Sequence, residues 1–192
     1  MNPAAAPRMK RDAALAILAR HVTDEIVVAV YQAAFDWMAM APHDLDYVSV
    51  GAMGRASSHA LGQALGRPEK RVLVFDGDGS LLMNLASLVT IANAAPANMI
   101  HLLFQNDCYE ANGSHPIPGA GRVDFAAMAR AAGYRTAVTV SDLEAFAVLA
   151  PRLVAAPGPA FAALTIEAGQ PSPQDYAYIH SSEARERFRR AL

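Results

Sequence analysis

The sequence predicts one α/β domain over residues 1–192, a doubly wound sheet of about six mostly parallel strands with helices on both faces. Short apolar runs alternate with longer helical patterns, which is typical of a parallel sheet covered on both sides. The composition, with 53% hydrophobic and 18% charged residues, indicates a well-packed globular protein and not a disordered one.

The predicted strands are rich in Val, Ile, Leu and Phe and lack strict alternation, as expected for strands buried on both faces. In chain order they are Ile26–Tyr31, Tyr47–Val50, Val72–Phe75, Met99–Phe104, Arg135–Val138 and Ala160–Ile166. The predicted helices are Arg11–Arg20, Ala34–Met40, Ala56–Leu65, Asn84–Ala94, Phe125–Ala132, Leu143–Val154 and Glu183–Ala191. Ser141 and Asp142 supply N-cap side chains for the helix that follows them.

Bulk properties exclude several classes of function. The net charge of −2 gives no electrostatic basis for binding nucleic acid, which favours a basic surface. Cys108 is the single cysteine, so an intrachain disulfide is excluded and a reducing compartment is indicated. The apolar run Ala13–Ala19 ends at Arg20 without a clear cleavage site, which favours an amphipathic helix over a signal peptide. No segment approaches the roughly 20 apolar residues of a membrane span, so we predict a cytoplasmic protein that binds neither nucleic acid nor membrane.

Three glycine- or amide-containing turns directly follow predicted strands. They are Gly51–Gly54, Asp76–Ser80 and Gln105–Cys108. A doubly wound sheet binds its ligands at the carboxyl ends of its strands, so we expect these turns to meet at one site. Each turn alone is a weak signal, because such sequences are common in ordinary turns. A site is indicated by the three turns together, because each of them directly follows a predicted strand.

The chemistry of the last two turns favours a metal-bridged diphosphate. Gly77 and Gly79 allow the backbone to approach a ligand closely, and the amides of Gly79 and Ser80 favour a phosphate. Asp78 offers a carboxylate oxygen and Asn106 an amide oxygen at the ends of consecutive strands. With a backbone carbonyl, two phosphate oxygens and water, these would complete the octahedron that Mg²⁺ prefers.

The same turns resemble the signature of thiamine diphosphate enzymes, Gly-Asp-Gly followed further along the chain by Asn-Asn. Gln105 replaces the first Asn of that signature, and Asn106 stands at the second, which is the family's metal ligand. The resemblance implies that Asp78, Asn106 and the main-chain oxygen of Cys108 bind Mg²⁺.

The run from Tyr47 to Asn84 is similar to the cofactor-binding subunit of sulfopyruvate decarboxylases and the matching domain of phosphonopyruvate decarboxylases. By that resemblance, Met53 supports the bent cofactor and the Gly51 carbonyl accepts a hydrogen bond from its aminopyrimidine. Gln32 follows the first strand, at the position where such proteins place residues against the diphosphate, so the resemblance implies that Gln32 contacts it.

The resemblance also implies a partner and a reaction. In this family a glutamate on a separate pyrimidine-binding domain activates the cofactor. The sequence has room for one domain only, so we expect a partner subunit to supply that glutamate, in an α₂β₂ or larger assembly. The implied reaction is decarboxylation of a small 2-oxo acid resembling sulfopyruvate or phosphonopyruvate. Acetolactate synthase-like carboligation and a non-catalytic scaffold role remain alternatives. A nicotinamide dehydrogenase is a poor alternative, because no Gly-x-Gly-x-x-Gly motif opens the first helix of this sequence.

Several residues near the predicted site leave the substrate open. The stretch Tyr31–Trp37 is aromatic where the similar decarboxylases carry a Gly and a Ser-Arg pair, which favours a bulkier or less charged acid. His115 is our candidate catalytic proton donor, with a solvated loop histidine as the alternative. Arg55 and Arg122 could bind an anionic substrate group or be ordinary surface arginines.

Overall fold

The computed structural model describes residues 8–48, 53–169 and 173–192. It confirms the predicted fold class. Six strands form one sheet in the order β2-β1-β3-β4-β8-β7, and every neighbouring pair is parallel. They are β1 Ile26–Ala29, β2 Asp46–Val48, β3 Val72–Gly77, β4 Met99–Gln105, β7 Thr136–Val140 and β8 Ala160–Thr165. A separate two-residue hairpin pairs β5 Cys108–Tyr109 with β6 His115–Pro116.

Helices cover both faces of the sheet. They are α1 Arg11–Leu18, α2 Tyr31–Met40, α3 Ala56–Gly66, α4 Asp78–Leu82, α5 Ser87–Ala94, α6 Phe125–Ala132, α7 Leu143–Val154, α8 Tyr176–Ile179 and α9 Ser182–Ala191. One apolar core packs α1, α2 and α7 on one face, and a second packs α3, α5, α6 and α9 on the other. The central strands β1, β3, β4 and β8 are buried along most of their length and are mostly apolar, which is why the pattern identified them. The edge strands β2 and β7 are partly exposed.

The order of the strands reverses between β1 and β3. The chain leaves β1 toward the edge strand β2 and then crosses back to β3 on the opposite side of β1. In open α/β sheets, such a switch point opens a crevice at the carboxyl ends of the strands. The turns after β1, β3 and β4 therefore lie where a ligand site is expected.

The structure corrects some predicted boundaries. The first strand ends at Ala29, and Tyr31 begins α2 with a positive φ of 47°, which no local pattern indicated. The predicted helix Asn84–Ala94 is present as α5, which begins three residues later at Ser87, and the short helix α4, which begins at Asp78, was not predicted. The predicted cap at Asp142 is confirmed, since its side chain accepts a hydrogen bond from the Ala145 amide. Within the described ranges, no helix combines the length and the apolar character needed to cross a membrane.

Candidate functional site

One pocket of about 60 Å³ lies at the switch point. Eight of the predicted cofactor and metal residues line it, namely Gln32, Met53, Gly77, Asp78, Gly79, Ser80, Asn106 and Cys108. They come from four separate segments of the chain, so their convergence is a property of the fold and not of one local turn. Gly51 lies outside the described residues, and its proposed role stays a prediction.

Asp78 is the best-defined candidate ligand. It begins α4 directly after β3, and its side chain is 2% exposed. Its two carboxylate oxygens accept hydrogen bonds from the Gly79 amide at 2.8 Å and the Asp107 amide at 2.6 Å. Burial raises the pKa of Asp78 to about 6, although those two amide hydrogen bonds act in the opposite direction. A buried carboxylate of this kind gains most from a cation placed beside it.

Asn106 and Cys108 face the same pocket from the end of β4. The Asn106 amide oxygen accepts a hydrogen bond from the Cys108 backbone amide at 3.0 Å, which leaves its second lone pair for another partner. Asp107, between them, has a positive φ of 64°, so the chain turns sharply here. Burial raises the pKa of the Cys108 thiol, which therefore stays protonated at neutral pH. The backbone oxygen of Cys108, and not its sulfur, is the group suited to a magnesium ion.

The turn that carries Met53 is fastened to α4. The Gly54 amide donates to the Ser80 hydroxyl at 3.0 Å, and the Asn84 side-chain amide donates to the Gly54 carbonyl at 2.8 Å. Gly54 has a φ of 80°, and an added Cβ would lie 3.1 Å from the Cβ of Asn84. The contact of Asn84 with this turn was not predicted, because no local pattern links Asn84 to Gly54, thirty positions earlier. Met53 is thereby held at the pocket wall.

The electrostatics of the pocket favour a bound cation. Carboxylates of Asp76, Asp78 and Glu110 line it, against the single guanidinium of Arg11 among the described lining residues. A diphosphate entering alone would meet this excess of negative charge. The described residues also form no cluster of three or more His, Cys, Asp or Glu side chains able to hold a metal unaided. The donors present thus fit a Mg²⁺ ion whose shell is completed by oxygens of the diphosphate.

Other predicted residues lie elsewhere. His115 is exposed in the short hairpin, where it pairs with Tyr109, and it does not line the pocket. Arg55 and His59 lie in a separate groove of about 830 Å³ beside β2, α8 and α9. That groove is larger, but it contains none of the candidate metal ligands. The roles proposed for His115 and Arg55 stay predictions.

Two glycines in the Asp76–Ser80 turn give a matched pair of substitutions. A Cβ on Gly79 would lie 2.5 Å from the Tyr109 ring, whereas a Cβ on Gly77 would meet nothing within 4 Å. Gly79→Ala should therefore lower the free energy of unfolding by about 1–3 kcal/mol through overpacking. Gly77→Ala should change it by less than about 0.5 kcal/mol, because the added methyl group enters open space.

The same methyl group at Gly77 would occupy space that a diphosphate needs. Gly77→Ala should weaken thiamine diphosphate binding at least about tenfold, about 1.4 kcal/mol. Denaturant unfolding and isothermal titration calorimetry measure the two effects separately. Unchanged cofactor binding by Gly77→Ala would show that the ligand does not approach this backbone.

Residues 28–163 match the family described as "Thiamine pyrophosphate enzyme, C-terminal TPP binding domain". Phosphonopyruvate decarboxylase of Streptomyces hygroscopicus is 36% identical over 146 residues, which cover 76% of this chain and 36% of that protein. Sulfopyruvate decarboxylase subunit beta of Methanothermobacter thermautotrophicus is 41% identical over 123 residues, which cover 64% of this chain and 63% of that one.

Solved structures share the fold. The thiamine diphosphate-dependent 4-hydroxybenzoylformate decarboxylase of Rhodococcus jostii RHA1 superposes with a TM-score of 0.73 at 18% identity, covering 88% of this chain and 35% of that one. The chain thus spans about a third of that protein and of the phosphonopyruvate decarboxylase. Because the family match extends over residues 28–163, well over half of its length, this chain belongs to the thiamine pyrophosphate enzyme family as a C-terminal TPP-binding domain.

Proposed function

We propose that this chain is the cofactor-binding subunit of a heteromeric, thiamine diphosphate-dependent 2-oxo acid decarboxylase. The observation that carries the proposal is the convergence of Asp78, Asn106 and Cys108 in one pocket at the switch point of the sheet. Similarity to sulfopyruvate decarboxylase subunit beta supports both the reaction class and the need for a partner. The cytoplasm, a reducing compartment, suits the free thiol of Cys108.

The residues of this chain would bind and orient the cofactor. The Asp78 carboxylate, the Asn106 amide oxygen and the Cys108 carbonyl would hold Mg²⁺ against the diphosphate. Gln32, 4% exposed in the pocket wall, would face the same group. When bound, thiamine diphosphate supplies the electron sink that loss of carbon dioxide from a 2-oxo acid requires. Met53 would support the part of the cofactor that faces the partner.

The partner subunit would contribute the pyrimidine-binding domain and its catalytic glutamate. We propose an α₂β₂ or larger assembly, in which each cofactor lies between two kinds of chain. The substrate would be a small 2-oxo acid of the sulfopyruvate or phosphonopyruvate type, with its anionic tail bound in part by the partner. His115 is the candidate proton donor within this chain.

Product analysis on the complex tests the reaction. The complex, purified through a tag on this chain, should release carbon dioxide from sulfopyruvate or phosphonopyruvate and yield the corresponding aldehyde. An acetolactate-type product would instead establish carboligation. A preference of more than about tenfold for an aromatic 2-oxo acid, roughly 1.4 kcal/mol, would contradict the anionic-tail substrate while leaving the cofactor assignment standing.

The raised pKa of Asp78 predicts that Mg²⁺-dependent cofactor binding weakens as the pH falls. Its folded-state pKa of about 6 lies above the ordinary value of 3.8, so protons compete with the metal at higher pH than for an exposed aspartate. Mg²⁺-dependent cofactor binding should be nearly constant above about pH 7 and should fall about tenfold per pH unit well below 6. Calorimetry across this range measures the change.

The control for the pH series is the Mg²⁺–thiamine diphosphate equilibrium in free solution, since phosphate groups also titrate near pH 6. The protein should lose affinity more steeply than this equilibrium does. A protein affinity that only followed the free equilibrium down to pH 5 would rule out Asp78 as a ligand that must ionise.

A further inference from the structure

The segment Arg8–Arg11 runs directly beside the loop that carries two of the proposed metal ligands. Its backbone is fixed at the end of β8, where the Met9 amide donates to the Thr165 carbonyl at 3.0 Å and the Glu167 amide donates to the Met9 carbonyl at 2.8 Å. Met9 itself is 3% exposed. Arg8 and Arg11 therefore belong to a segment whose backbone is held in place at Met9.

Arg11 joins the buried carboxylate of Glu110 to the partly buried carboxylate of Asp36. Its guanidinium donates through Nε to Asp36 in α2 and through a terminal nitrogen to Glu110, which follows β5. Arg11 and Glu110 are 9% and 6% exposed, and both line the candidate cofactor pocket. The second Glu110 oxygen accepts the Gly169 amide at 2.6 Å. A planar guanidinium suits such a two-carboxylate bridge, which a lysine could not reproduce.

Arg8 holds the other side of the same loop. It donates to the Asp107 carboxylate and, through its second terminal nitrogen, to the Ile166 carbonyl at 3.1 Å. The backbone amide of Asp107 in turn donates to Asp78. The loop is therefore tied by Arg8 at Asp107 and by Arg11 at Glu110, and Cys108 lies between the two ties.

We propose that Arg8 and Arg11 form a clamp that positions the Asn106–Glu110 loop for metal binding, an inference that rests on the proposed function. Mg²⁺ requires near-ideal octahedral geometry, so a loop free to move would place the Asn106 and Cys108 oxygens poorly. The positive charge of the Arg11 guanidinium is offset by the two carboxylates that it contacts, so we assign it a role through the loop and not as a ligand of the diphosphate.

The test compares Arg11→Lys, Glu110→Gln and the double variant, using the full chain with Mn²⁺ and thiamine diphosphate as the probe. Electron paramagnetic resonance of Mn²⁺ measures the dissociation constant, and thermal unfolding measures stability. Each single variant should weaken Mn²⁺ binding about 10- to 100-fold, as loss of groups that orient metal ligands commonly does. The double variant should bind no more weakly than the worse single one, because both changes break the same link.

Arg71→Lys is the matched control. Arg71 precedes β3 at the opposite end of the sheet and donates to the carbonyls of Ala155 and Ala156 at 2.9 and 2.8 Å. This variant should lower the melting temperature without changing Mn²⁺ affinity. Hydrogen exchange of the Asp107 and Cys108 amides should accelerate in Arg11→Lys and stay unchanged in Arg71→Lys.

The outcomes separate the clamp from the proposed function. If Arg11→Lys lowered only the melting temperature and bound Mn²⁺ as the wild type does, the clamp would be refuted and the metal site would stand. If the wild-type chain bound no Mn²⁺ with thiamine diphosphate, either alone or in the complex with its partner, the proposed function would fail, and the clamp with it.

Discussion

Asp78→Ala should abolish Mg²⁺-dependent binding of thiamine diphosphate. The substitution removes the only carboxylate in the proposed set of metal ligands, so we expect affinity to fall by more than about 100-fold, beyond the effect of groups that only orient ligands. Asn106→Ala should weaken binding less, because it removes a neutral oxygen. Calorimetry with Mg²⁺ and the cofactor measures both variants against the wild type.

The fold should survive the Asp78 substitution with a modest loss of stability. The amides of Gly79 and Asp107 lose their acceptor, which costs about 1–3 kcal/mol when no water replaces it. Asp142→Ala is the matched control, since it removes an aspartate that caps α7 and is not among the described residues that line the pocket. That control should lose about 1 kcal/mol of stability and no cofactor affinity. Wild-type affinity in Asp78→Ala would place the metal elsewhere.

The purified chain alone should show no decarboxylase turnover, and addition of its partner subunit should restore it. The match covers 36% of the similar phosphonopyruvate decarboxylase, and we propose that the partner subunit supplies the catalytic glutamate. Loss of a positioned proton donor or acceptor reduces rate by about 10²- to 10⁴-fold, so any residual activity should be at least about 100-fold below that of the complex.

Carbon dioxide release measures this activity, with thiamine diphosphate and Mg²⁺ present in every sample. The control is the complex rebuilt with Asp78→Ala, which should form but stay inactive. Size-exclusion chromatography with light scattering reports whether the complex has formed. Full turnover by a rigorously pure single chain would overturn the division of the active site between two subunits.

The central strands of the sheet could be predicted because they are buried on both faces. A continuous apolar run such as the one in β4 has few other interpretations when helical patterns surround it. The convergence of Asp78 and Asn106 in one pocket was predictable for a related reason, since they directly follow the neighbouring buried strands β3 and β4. Local sequence therefore indicated which strands end at the pocket, although their exact last residues differ from the prediction.

Features that depend on distant contacts could not be predicted. Tyr31 begins α2 with a φ of 47°, a conformation that tyrosine rarely adopts, and it hydrogen-bonds the Met53 backbone across the pocket. The pairs Arg8–Asp107 and Arg11–Glu110 join residues 99 positions apart. Nothing in the sequence near either arginine indicates its partner, because the fold alone brings these segments together.

Crystals of the chain grown or soaked with thiamine diphosphate and Mn²⁺ would show directly which residues bind the metal ion. Anomalous diffraction at the manganese edge locates the ion without reference to the surrounding protein. We expect one peak at about 2.0–2.3 Å from an Asp78 carboxylate oxygen, the Asn106 amide oxygen and the Cys108 carbonyl oxygen, next to the diphosphate. Bound cofactor with its manganese peak away from Asp78 and Asn106 would contradict this expectation.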